Sequence, residues 1–236
     1  MSCRALALAL TALTLSSAQA GESLPGPEAA QWMQKISNAA RKTPYEGFFV
    51  FQHGGGAQPH SQTLLVSNKP AASGSEGVSR LLSLDGSQRE VRCSQRSSVT
   101  LMLNGAQLQL EKRVNKRHFP DLLPENAAPL AQWYQVRLGQ SDQVAGRDCT
   151  AVEIVPRDAF RWGYVICADK ATGFPLRVIM NNAEGQPLMQ YQFAEIRLGA
   201  SPALDDKPMP AMPDAARPVA NERVVATSLP PGFTRI

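Results

Sequence analysis

Between residues 28 and 42 the chain reads EAAQWMQKISNAARK, and Trp32, Met33, Ile36, Ala39 and Ala40 recur on one helical stripe. Pro27 stands where a helix begins and Pro44 just past its end. The spacing predicts one amphipathic helix with an apolar face that needs a sheet to cover. Beyond it the period changes from 3.6 to two. Runs over 47–53, 61–67, 78–84, 88–94, 98–103 and 106–112 read as strands, separated by a triple glycine (54–56), a polar loop (69–77), Asp85-Gly86 and Asn104-Gly105. Asp-Gly and Asn-Gly tolerate positive φ, which makes them strong hairpin signals. A basic segment (112–120) and a Pro-rich stretch interrupt the alternation, and a short helix is predicted over 125–132.

Further on, antiparallel pairing of 150–155 with 161–168 around Asp158 sets Val152 against Tyr164, Ile154 against Trp162 and Thr150 against Ile166. Continuing through Thr172-Gly173 sets Ile166 against Leu176 and Tyr164 against Val178. Around the NAEG turn (182–185), Val178 meets Met189, Leu176 meets Tyr191 and Phe174 meets Phe193. All three registers gather their apolar residues on one face, and a one-residue slip would scatter them. A four-stranded meander is expected. The same register sets Cys149 beside Cys167 on the opposite face, which predicts a disulfide between them and leaves Cys93 as the free thiol.

The first 20 residues carry one positive charge, a short apolar run and a small-x-small ending at Ala18-Gln19-Ala20, the pattern of a secretory signal peptide. Gly21 rather than Cys follows, so no lipid anchor is expected there. The expected location is the periplasm, which permits disulfides. Without Arg4, 23 Lys and Arg face 20 Asp and Glu, a balance too even to favour nucleic acid. Residues 21–198 read as one domain. Residues 199–222 read as a Pro/Ala-rich linker, and 223–236 as the start of a domain that this chain does not complete.

Catalytic chemistry finds little support. His53, His60 and His118 are scattered, no G-x-S-x-G elbow accompanies them, and no CxxC or HxxxH spacing suggests zinc. Glu153, Asp158 and Asp169 are explained by hairpin ends. No cofactor is expected, and a hydrolase is disfavoured. Two features remain open. Lys112, Arg113, Lys116 and Arg117 could contact anionic groups or an acidic partner, or form a solvated loop. The apolar residues Trp32, Ile36, Trp162, Tyr164, Phe174, Leu176, Tyr191 and Phe193 could be core, or could line a cavity for acyl chains.

Three stretches carry a resemblance: QWMQKISNAARKTPYEGFFVFQ (31–52), RLLSLDGSQREVRC (80–93), and 133–196 with its VAGR, PRDxxRxG, TGxPL and GxxL elements. Together they resemble the RseB/MucB family of periplasmic negative regulators of the envelope-stress sigma factor, over nearly all of 28–198. The resemblance implies an α+β fold, a curved antiparallel β-sheet forming an unclosed half-barrel covered by a few helices, as in periplasmic lipoprotein carriers. It implies a non-enzymatic regulator that binds the periplasmic domain of a membrane anti-sigma factor and shields it from regulated proteolysis. Lipopolysaccharide or lipoprotein acyl chains would be sensed as the stress signal, and a homodimer is left open. The family's C-terminal domain is represented only by VVATSLPPGF (224–233), and the Cys149/Cys167 pair is no part of the family pattern. The rival reading is a periplasmic lipid or lipoprotein carrier with no anti-sigma partner.

Overall fold

A computed structural model describes residues 21–54, 59–72, 77–86, 89–94, 98–104, 107–113, 122–199 and 228–233. Within them lies one helix, α1 (Gly26–Lys42), a 3-10 turn (Ala128–Gln132) and a single twelve-stranded sheet. The strands are β1 (Glu22–Ser23), β2 (Tyr45–His53), β3 (His60–Lys69), β4 (Val78–Ser83), β5 (Arg89–Ser94), β6 (Ser98–Asn104), β7 (Gln107–Arg113), β8 (Tyr134–Val144), β9 (Arg147–Pro156), β10 (Gly163–Asp169), β11 (Pro175–Asn181) and β12 (Pro187–Leu198). Their spatial order is β1-β8-β9-β10-β11-β12-β2-β3-β4-β5-β6-β7, and every pair of neighbours is antiparallel. This is the expected α+β unclosed sheet.

Two meanders, β8–β12 and β2–β7, are joined edge to edge by β12 and β2. The junction is tight. A Cβ on Gly47 would lie 2.3 Å from the Glu195 carbonyl oxygen, beside the β12 bulge between Phe193 and Glu195. Glycine here lets two backbones approach where a side chain would hold them apart.

Helix α1 presents Ala29, Met33, Ile36 and Ala39 to the core and carries Pro at its first turn, as the stripe predicts. Its polar positions tie down a loop far along the chain. Gln34 donates to the Glu125 carbonyl (2.8 Å) and accepts from Ala127 N (3.1 Å), Ser37 donates to the Pro124 carbonyl (2.8 Å), and Arg41 donates to the Leu123 carbonyl (2.6 Å). Residues at i, i+3 and i+7 share one helix face, so three side chains satisfy one stretch of loop backbone.

The expected pairings in the second meander need correction. Tyr164 faces Ile154 rather than Val152, and Ile166 faces Val152 rather than Thr150. Across the next turn Tyr164 faces Met180 rather than Val178, and Ile166 faces Val178 rather than Leu176. On β12, Val178 faces Tyr191 rather than Met189, so Leu176 does not pair with Tyr191. Each pairing is displaced by two residues. An even displacement keeps every side chain on its face, so burial fixes the faces while turn length fixes the partners. The loop between β9 and β10 is longer than the expected pivot at Asp158 allows, and Trp162 falls outside the strand altogether.

Cys149 therefore faces Asp169, and Cys167 faces Ala151. The cysteines are diagonal neighbours rather than direct partners. They form the expected disulfide, with Cα atoms 5.4 Å apart. Strand β8 also escapes the sequence pattern, because its second half is exposed and polar and a bulge interrupts it between Leu138 and Ser141.

Candidate functional site

The inner face of the sheet changes character along its length. Beneath α1, Tyr45, Phe49, Phe174, Tyr191 and Phe193 are fully buried, with ring centroids 4.9 Å (Tyr45–Phe174), 5.6 Å (Phe49–Phe193) and 5.8 Å (Phe174–Phe193) apart. Ile36 and Leu176 are buried with them. These tilted contacts are those of a closely packed aromatic core. Burial, with Tyr45 nearby, pushes the Tyr191 hydroxyl well above its usual pKa.

Of the eight candidate acyl-contact residues, Ile36, Phe174, Leu176, Tyr191 and Phe193 are thus core. Trp32 is half-buried at the helix flank with the Lys35 ammonium 5.0 Å from its ring centre. Trp162 is 55% exposed in the β9–β10 loop. Tyr164 alone of the eight is a half-buried strand residue on the inner face.

Following Tyr164 across the sheet defines one row of paired positions: Ile154, Tyr164, Met180, Met189, His53 and His60. Ile154 is buried, Tyr164, Met180 and Met189 are half-buried, and both histidines are exposed. The next row inward is Val152, Ile166, Val178, Tyr191 and Phe51, buried except for half-buried Phe51. The inner face therefore opens from a solid aromatic core to a partly accessible thioether and aromatic margin. Met180, Met189 and Phe51 are missed by the sequence reading, which places Met189 opposite Val178 and so deeper in the sheet. A groove of about 500 Å³ skirts the same strand ends, lined by His53, Met189 and Leu188 with the polar Gln52, Gln186 and Gln190.

The outer face beneath β8–β11 is fixed by charge. Asp169 is buried, and its carboxylate accepts from Arg147 Nε (2.7 Å), Thr172 N (2.8 Å) and Thr172 Oγ1 (2.8 Å). Burial works against its ionisation, but the Arg147 and Thr172 bonds prevail and hold its pKa below the usual carboxylate range. Asp158 sits in the β9–β10 loop and pairs with Arg161, whereas Glu153 lies within β9 between Arg137 and Val165 rather than at a hairpin end. Among the described residues no group of three His, Cys, Asp or Glu could hold a metal ion. Lys112 and Arg113 end β7 opposite Val99 and Ser98. Lys116 and Arg117 lie outside the described residues.

The MucB/RseB N-terminal domain family matches residues 28–213 of this chain. The chain belongs to the MucB/RseB family. It is 31% identical to the sigma factor AlgU regulatory protein MucB of Pseudomonas aeruginosa, over 94% of this chain and 69% of that protein. It is 25% identical to the sigma-E factor regulatory protein RseB of Escherichia coli, over 70% of this chain and 50% of that protein. The solved structure of Pseudomonas aeruginosa MucB with MucA superposes with a TM-score of 0.58 at 29% identity, covering 75% of this chain and 59% of that one. MucB solved as such superposes with a TM-score of 0.59 at 30% identity, covering 76% and 62%. The chain thus spans half to two thirds of the length of most of these relatives. MucB/RseB proteins are regulatory binding proteins and not enzymes, which agrees with the absence of a catalytic motif in the sequence.

Proposed function

We propose that this chain is a periplasmic regulator that binds the periplasmic part of a membrane anti-sigma factor, shields it from regulated proteolysis, and releases it when acyl chains are bound. The observation that carries the first step is the shared fold with MucB, which has been solved in complex with MucA, at 29% identity over 75% of this chain. The leader-like residues 1–20 and the Cys149–Cys167 disulfide support an oxidising compartment.

The inner face supports the acyl step, but not where the core lies. A chain entering beneath α1 would have to displace Phe174, Tyr191 and Phe193, which are fully buried. The margin formed by Phe51, Tyr164, Met180 and Met189 is accessible, and methionine adapts to irregular apolar ligands. It is the better acyl contact. Phe160 and Trp162 are 63% and 55% exposed in the β9–β10 loop, aromatic anchors of the kind that concentrate binding energy at protein interfaces.

The test is co-purification of the chain with the periplasmic segment of its cognate anti-sigma factor, followed by exposure of that segment to its protease. Capture and slower cleavage are expected. Capture of acyl lipids with no capture of the segment would favour a lipid carrier instead.

A further inference from the structure

We propose that the β9–β10 loop is a docking site for a Pro-Pro-Gly-Phe turn, and that this chain's own Ser228–Phe233 segment occupies it as an intramolecular strap. The site is built around Arg161, whose side chain is only 7% exposed although its loop neighbours Phe160 and Trp162 are open to solvent. Its guanidinium carbon lies 4.5 Å from the centre of the Trp133 ring and 4.6 Å from that of Phe233. Nη1 donates to Asp158, and Nη2 donates to the Pro231 carbonyl. The cation thus lies over two rings while its terminal nitrogens are hydrogen-bonded.

Only arginine does both, because its flat cation stacks on aromatic faces and still directs N–H groups outward. Two aromatics and one acceptor come from parts of the chain about a hundred residues apart in sequence.

The turn fits the site closely. The Phe233 amide donates to the Pro230 carbonyl at 3.1 Å and closes it. Gly232 has φ +80°, and a Cβ there would lie 2.7 Å from Trp133 Cε2 and 2.8 Å from Arg161 Nη2. Any other residue would meet both the backbone penalty and the Trp133 ring. Nothing in Ser228–Phe233 joins the sheet, and Leu229 and Phe233 remain 41% and 42% exposed. The Arg161 cradle is what locates the segment.

A contact this small would be weak between separate molecules. A covalent tether of 28 residues (200–227) raises its effective concentration to the order of a millimolar. At micromolar protein, occupancy within one chain therefore outweighs exchange between chains.

The direct test is NMR on the isotopically labelled full chain. Nuclear Overhauser contacts between the Gly232 α-protons and the Trp133 indole are expected, with a ring-shifted, slowly exchanging Arg161 Nε–H signal. Phe233→Ala, at an exposed position remote from the core, should abolish the contacts and move the Arg161 signal while leaving core resonances in place. Arg161→Lys should do the same while keeping the charge beside Asp158. Absence of the contacts in the unaltered chain, or an Arg161 signal indifferent to Phe233→Ala, would overturn the proposal. So would contacts seen only between labelled and unlabelled copies, which would place the turn on a second molecule.

Discussion

Asp169 takes its three hydrogen bonds in a buried position, and this makes its ionisation a measurable part of stability. Because its folded pKa is depressed, the contribution is complete above the unfolded carboxylate value and lost as pH falls through the folded one. Asp169→Asn should lower unfolding stability by about 1–3 kcal/mol at neutral pH. The gap from the unaltered chain should begin to narrow below about pH 4 and close as pH falls through the depressed folded value, as urea titrations at several pH values would show. Cys93 behaves in the opposite sense. Burial raises its thiol pKa despite the Ser79 hydrogen bond, so a disulfide-exchange reagent at pH 8 should modify it far more slowly in native than in unfolded protein. The disulfide closes a short stretch, with a separation of 18 residues. Replacing both Cys149 and Cys167 by Ala should cost about 3 kcal/mol, read as a lower urea midpoint.

At the scale of elements, helix α1 is held by two different faces. Met33 and Ile36 are fully buried against the sheet, and truncating either to Ala should cost about 2–5 kcal/mol in chemical denaturation. The β10–β11 turn meets the same helix from below. Gly173 has φ +82°, and a Cβ there would lie 2.8 Å from Lys35 Cγ, so Gly173→Ala should destabilise by more than about 1 kcal/mol. These local features are legible in sequence: the stripe through Trp32, Met33 and Ile36 gives the helix, and Thr172-Gly173 gives the turn. Register is legible only by face. Burial requires Tyr164, Ile166 and Val178 to share a side, but a two-residue displacement satisfies that requirement equally well. The lengths of the three connecting turns, which no periodicity reports, decide between the alternatives, and the β9–β10 loop leaves Trp162 outside the strand.

The whole molecule depends on contacts that the sequence pattern does not announce. β12 and β2 are about 140 residues apart in the chain, yet their pairing merges two meanders into one sheet and brings Met189 beside His53. No local signal encodes such a join, since it follows from two edges needing partners. It also explains why an acyl-binding reading based on the most apolar residues falls on the core. Phe174, Tyr191 and Phe193 fill the space under α1, and accessibility shifts to Tyr164, Met180 and Met189 at the open end. The MucB structure with MucA supports the proposed protein-binding step, and this open margin is where the proposed acyl sensing would act.

Both halves meet in one titration. The periplasmic segment of the cognate anti-sigma factor, carrying a fluorescent label, is followed by anisotropy against the full chain and then challenged with lipopolysaccharide. Saturable binding at micromolar chain, reversed by lipopolysaccharide, is predicted. A chain carrying Met180→Glu and Met189→Glu should still bind but resist release. Failure of the unaltered chain to bind the segment, with or without lipopolysaccharide, would contradict the account.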